Sequence, residues 1–162
     1  MSRLARAMMP TNATVCIAKD MNRSRSKVAA TWLALSLGTL GAHRFYLHGN
    51  RDVLAWLHPL PTLAGSIGVM RMLNFGQDDR LAWLLMPLLG LMISQSMLAA
   101  IVYGLTPDDE WRNRHNPHQA EVPTAWLPVL GVVLALLLGG TALMGTVAFS
   151  GQRFFEWQLG PA

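Results

Sequence analysis

Residues 129–138 read Val-Leu-Gly-Val-Val-Leu-Ala-Leu-Leu-Leu, and residues 81–89 read Leu-Ala-Trp-Leu-Leu-Met-Pro-Leu-Leu. Both are apolar on every helical face, the pattern of a helix surrounded by lipid or by other helices. Outward to the nearest Asp, Glu, Lys or Arg, the first belongs to an uncharged run from Val122 to Gln152 and the second to one from Leu81 to Pro107. Each exceeds the roughly 20 residues that cross a hydrocarbon core of about 30 Å. Two more uncharged runs, Val28 to His43 and Val53 to Met70, precede them.

The chain of 162 residues is 52% hydrophobic and only 14% charged, with a mean hydropathy of +0.30. A soluble domain carries roughly 25% charged residues, so composition excludes an ordinary soluble globule and a wholly disordered chain alike. The single cysteine, Cys16, excludes an intramolecular disulfide framework and a multi-cysteine zinc site. The predicted fold is therefore an all-α, polytopic integral membrane protein with about four spans, near 28–47, 53–71, 81–105 and 124–149. The second holds His58, Pro59, Pro61, Gly65 and Gly68; it reads as a kinked or partly broken span, with a re-entrant segment as the alternative.

Around these spans the organisation reads as a flexible basic tail (1–25), a helical hairpin (26–73), a second pair of spans with a polar loop at 106–123 (74–150), and a short amphipathic tail (151–162). Trp32, Trp83, Trp126, Tyr46 and Tyr103 fall near span ends, as interfacial aromatics do. Counting basic residues in the connections, the N-terminal segment, Arg71, Arg80 and Arg153 outweigh Arg44, Arg51, Arg112 and Arg114, so the positive-inside rule places both termini in the cytoplasm. No cleavable signal peptide is visible before Met21, and no repeat of 20–50 residues is apparent.

Residues 26–49 run Ser-Lys-Val-Ala-Ala-Thr-Trp-Leu-Ala-Leu-Ser-Leu-Gly-Thr-Leu-Gly-Ala-His-Arg-Phe-Tyr-Leu-His-Gly. Ser26 and Lys27, Leu33 and Ala34, Gly38 and Gly41, then His43-Arg44-Phe45-Tyr46-Leu47, resemble the TM2 domain family, NINE-type proteins in bacteria, over about residues 26–70. The family places its glycine directly after the leucine, whereas His48 intervenes here. The resemblance implies two hydrophobic helices joined by a short polar turn, mostly without an assigned biochemical activity, and a bacterial inner-membrane location.

Within the motif, Gly38 and Gly41 offer small surfaces for close helix packing. Arg44 offers a planar fork of five donors to a lipid phosphate or to Asp52 across the turn. Tyr46 suits an interface and Phe45 the apolar side of it. The motif reads either as a helix terminator and anchor, or as a lipid- or partner-binding patch built on His43 and Arg44.

Other constellations weigh less. His43, His48 and His58 with Asp52 lack a recognised metal spacing, and His58 beside Pro59 reads as a group satisfying backbone at a kink. His115 and His118 with Asp108, Asp109 and Glu110 read as a solvated connection. Ser94 and Ser96 have no general base at helical spacing and, with Gln95, read as interhelical hydrogen-bonding groups. Gly131, Ala135 and Gly139 form a small-residue ladder, read as a packing face or a seam for self-association. The chain is thus expected to be a structural or interaction protein rather than an enzyme, with no cofactor, metal or nucleic acid, and with membrane lipids and possible membrane-protein partners. The rival reading is a small transporter, proton relay or lipid-modifying protein using His43, Arg44, Asp52 and His58.

Overall fold

The computed structural model describes residues 25–117 and 126–160. It is all-helical there: α1 (Lys27–Leu37), a 3-10 turn (Gly38–Leu40), α2 (Ala42–His48), α3 (Val53–Leu57), α4 (Pro59–Phe75), α5 (Arg80–Leu105), α6 (Asp108–His115) and α7 (Leu127–Leu159). The expected basic tail before Arg25, and His118, lie outside the described residues. Three helical stretches are long and apolar enough to cross a membrane: Val53–Phe75, Arg80–Leu105 and Leu127–Leu159. Lys27–Leu40 is a shorter apolar helix.

The first apolar segment, expected as one helix over 28–47, instead turns back on itself. α1 starts at Ser26, whose Oγ accepts the Ala29 N–H at 3.4 Å. It tightens into the 3-10 turn and then meets Gly41 at φ +79°, a left-handed conformation open chiefly to glycine. α2 therefore returns along α1 as a hairpin arm. The backbone N–H of Ser26 reaches the Tyr46 hydroxyl at 2.8 Å, and Ala30 packs with Leu47.

The prolines of the next segment fall where their missing N–H groups cost nothing. Pro59 and Pro61 occupy the first turn of α4, whose N–H groups have no partner within that helix. α3 and α4 form a stretch of 23 residues, about 34 Å long, with its break at His58. This stretch is long and apolar enough to cross; the segment that turns back is the one before it.

α5 is the central helix. Against it α4 lays Gly65 and Gly68, at Leu89 and Leu85; α7 lays Gly139 at Met97; and the 3-10 turn lays Gly38 at Ser96. A Cβ on Gly65 would run into the backbone of Leu89, so only glycine permits that approach. Ala34, Met97, Ala100 and Ala135 close a buried cluster shared by α1, α5 and α7, and Thr31 is fully buried. Gly131, Ala135 and Gly139 thus form an internal seam for α1 and α5 rather than a surface for self-association.

With α2 folded back along α1, the described ends lie at opposite ends of the bundle. Arg25 and Ser26 sit with the 49–52 turn and α6, while Arg153 sits over Trp83 and bonds Gln77 at 3.3 Å. The expectation of both termini on one side of the membrane rested on an even number of crossings, and the residues before Arg25 lie outside the described ones. Residues 151–159, read as a separate tail, continue α7.

A repeat is also present, contrary to the reading of the sequence alone. Arg44-x4-Gly49-Asn50-x-Asp52-x-Leu54-Ala55-Trp56-Leu57 recurs 27 residues later as Arg71-x4-Gly76-Gln77-x-Asp79-x-Leu81-Ala82-Trp83-Leu84. Both copies fold alike. Gly49 and Gly76 stand at φ +78° and +84°. Each Arg Nε donates to its Asp Oδ2, at 2.9 and 2.7 Å, and each Asp Oδ1 accepts the Leu N–H two residues on, at 3.0 and 3.1 Å. Each Trp Nε1 donates to the carbonyl six residues back, Asn50 or Gln77. The two latches cap the crossing helix α3–α4 at its two ends.

Candidate functional site: the hairpin end of the bundle

The polar groups of the first motif gather where α2 returns to the mouth of the hairpin. α2 carries His43 inward, only 3% exposed, between the rings of His58 and Tyr103, each 5.8 Å away between centroids. His43 Nδ1 is buried without a hydrogen-bond partner among the described residues. His58 donates from Nδ1 to the Leu54 carbonyl at 2.8 Å, which fixes its tautomer. The carbonyl that Pro59 leaves free is that of Ala55, one residue on, and it lies against Gly41, where a Cβ would come within 2.8 Å. Thr62 Oγ1 stitches the hairpin tip to α4 by donating to Thr39 O at 2.7 Å.

Arg44 takes the intrachain partner of the two expected for it. Its Nε–H bonds Asp52 across the turn, with His48 Nδ1 3.8 Å from the same carboxylate oxygen. The Arg44 hydrogen bond, joined by the Leu54 N–H, holds the Asp52 carboxyl below the usual carboxylate range. Tyr46 closes the mouth on Ser26, and Phe45 meets Trp56 edge to face at 5.3 Å. Gly38 and Gly41 serve packing and reversal and present no binding surface. The structure thus brings His43, Arg44, Phe45, Tyr46, Asp52 and His58 to one end of the molecule, with two layers: an inner histidine pair and an outer Arg–Asp latch.

Reading the sequence missed the part supplied by α6. Expected as a solvated connection, it is a short helix lying over the hairpin mouth, with acids in its first turn and bases in its last, as the helix dipole favours. Trp111 is 5% exposed and donates from Nε1 to Arg25 O at 2.8 Å; the Asn116 amide both accepts from Arg25 N at 2.9 Å and donates to Arg25 O at 3.1 Å. Lys27 pairs with Asp108 at 3.0 Å. His115 stacks on Trp111 at 4.3 Å, and burial there pushes its pKa down. One signal was legible: Trp111 amid Asp-Asp-Glu and Arg-Asn-Arg is out of place in a merely solvated loop.

No group of three or more His, Cys, Asp or Glu capable of holding a metal ion occurs among the described residues. Comparison with known families adds the decisive observation: residues 23–72 match the family model of the TM2 domain. That segment is similar to a TM2 domain. No curated protein and no solved structure matches the chain. In structural terms the matched segment takes in the α1–α2 hairpin, the first latch and α3–α4 to within a turn of its end. The second latch, α5, α6 and α7 lie beyond it, and α5 and α7 supply most of the wall on which the hairpin packs.

Proposed function

We propose that this is a non-enzymatic protein of a bacterial inner membrane, acting as a scaffold whose hairpin end contacts anionic lipid headgroups at the cytoplasmic face. The supporting observation is the asymmetry between two ends built on the same latch. The hairpin end carries Arg25, Lys27, Arg51, Arg112 and Arg114 besides Arg44, and Arg3, Arg6, Lys19 and Arg23 precede it in the chain. The other end has only Arg71, Arg80 and Arg153; Arg71 and Arg153 are ion-paired there, as Lys27, Arg44 and Arg114 are at the hairpin end, so the difference is one of number. Under the positive-inside rule the basic end faces the cytoplasm, and polybasic surfaces there attract anionic lipid.

Reporter fusions test the orientation. Alkaline phosphatase should be inactive when fused after residue 22 or 115 and active after residue 76 or 159; activity after 115 overturns it. For the function, the purified protein should retain phosphatidylglycerol over phosphatidylcholine, and Arg51→Ala combined with Arg114→Ala should reduce that preference; equal retention of both lipids sinks the reading.

A second reading, proton relay, draws on the buried His43–His58 pair with its unpartnered nitrogen, near Asp52 and Arg44. Strongly polar groups inside a membrane usually mark function. Proton flux into liposomes that disappears in His58→Ala would favour it over the scaffold.

A further inference from the structure

Beyond Arg80 at its first position, every exposed residue of α5 lies on one narrow stripe. Leu81, Leu84, Leu91, Gln95, Leu98, Val102 and Leu105 are exposed, and Leu88 completes their alternating spacing of three and four. That is a period of 3.5 residues, the seam of a two-helix coiled coil, in which alternate positions form the contact. In this register Gln95 takes the position type shared by Leu81, Leu88 and Val102.

Gln95 is the anomaly on this stripe. It stands about 22 Å of helix from Arg80 and about 15 Å from Leu105, well inside the apolar span, and its carboxamide has no hydrogen-bond partner among the described residues. Other polar side chains near mid-span satisfy themselves: Ser36, Ser94, Thr141 and Thr146 each donate to the carbonyl four residues back. A carboxamide carries two donors and an acceptor, and hydrocarbon offers it nothing, so leaving it there is costly. The exposed faces of α4 and of mid-α7 carry no such group; Leu60, Leu63, Ile67, Leu136, Leu137 and Met144 are among the residues there.

We propose that α5 is the interface for a second copy of this chain, in a parallel two-fold dimer whose axis runs along the membrane normal through paired Gln95 side chains. Two copies inserted the same way bring like positions together, so each amide N–H meets the carbonyl of its twin. A carboxamide is its own complement in donors and acceptors, which selects a second copy over lipid. A single polar residue at such a seam position sets register and partner number, and the closed two-fold arrangement leaves no seam open. The self-association expected from the small-residue ladder of α7 thus moves to α5, since that ladder is consumed within the chain.

The test uses the full chain with Cys16→Ser in lipid vesicles. Leu91→Cys and Leu98→Cys should form disulfide-linked dimers on mild oxidation, whereas Met144→Cys, more exposed than either but on α7, should not. Energy transfer between labelled copies should show Gln95→Leu weakening association about tenfold with unchanged helicity, and Gln95→Asn retaining most of it. The position is exposed in the single chain, so the leucine variant folds without it. Undiminished association in Gln95→Leu, equal cross-linking at Met144, or no cross-link at Leu91 and Leu98 would each overturn the proposal.

Discussion

Gly41 and Gly49 both adopt positive φ, yet their surroundings differ, and this separates two costs. At Gly49, whose φ of +78° and ψ of −174° lie in a region essentially restricted to glycine, nothing lies within 4 Å of a would-be Cβ, so Gly49→Ala meets backbone strain alone, about 1–3 kcal/mol. At Gly41, a left-handed residue at φ +79° and ψ +12°, backbone strain of about 1–2 kcal/mol is joined by collision with the Ala55 carbonyl and with His58 Cβ at 3.0 Å. Gly41→Ala should therefore lose distinctly more stability than Gly49→Ala in denaturant titrations in mild detergent; equal losses would mean the hairpin tip is not packed on α3 as described. Arg44 is a matter of fork geometry. Arg44→Lys keeps the charge but loses the planar donors, so its melting temperature should fall by a few degrees, and Arg44→Ala should fall further. Asp52→Asn on top of Arg44→Ala should cost less than it does alone, because its partner is already gone. Additive losses would show that Arg44 and Asp52 act separately.

At the scale of elements, the two latches make one experiment of two. Each closes a turn by an Arg–Asp pair spaced eight apart while the same carboxylate caps the next helix. In each, the hydrogen bond from arginine holds the aspartate pKa down. A depressed carboxylate contributes stability that is complete above its unfolded pKa, about 3.9, and is lost as pH falls through the lower folded value. Unfolding midpoints should thus drop as pH is lowered below about 4, and Asp52→Asn with Asp79→Asn should flatten that part of the curve. A curve of unaltered shape in the double variant would put the acid sensitivity elsewhere. His115 acts in a different window: its pKa is lowered, so α6 docking is complete above the ordinary histidine value near 6.5 and weakens below it. Exchange of the Trp111 indole N–H should quicken between pH 7 and 5.5, and His115→Gln should remove that dependence.

For the whole molecule, the half-depth hairpin gives the hairpin end five helical segments in cross-section (α1, α2, α3–α4, α5 and α7) and the other end three. This unequal cross-section follows from the reversal at Gly41, since a continuous helix there would have carried residues 49–52 toward the far end. Cysteine accessibility in sealed vesicles checks it: in the Cys16→Ser background, Asn50→Cys and Asn113→Cys should be labelled from the same side, and Gln77→Cys from the other. Labelling of Asn50 and Asn113 from opposite sides would restore the four-crossing arrangement.

The apolar runs by themselves determined that the chain lives in a membrane as helices, and the Ser26 to Gly49 stretch determined its resemblance to the TM2 domain, because hydrophobicity and short motifs are local properties. Arg44 and Asp52 were legible as partners for the same reason, being eight residues apart across a turn. Direction was not legible. Whether the chain turns back at Gly41 depends on a single left-handed φ and on the wall that Ser96, Ala100 and Ala135 offer from helices over 50 residues downstream, and charge counting inherits whatever number of crossings is assumed. Likewise the small-residue ladder of α7 and the Leu–Gln stripe of α5 look alike as candidate seams in the sequence; only tertiary packing, by burying the first against α1 and α5 and leaving the second bare, decides which of them is free for another chain.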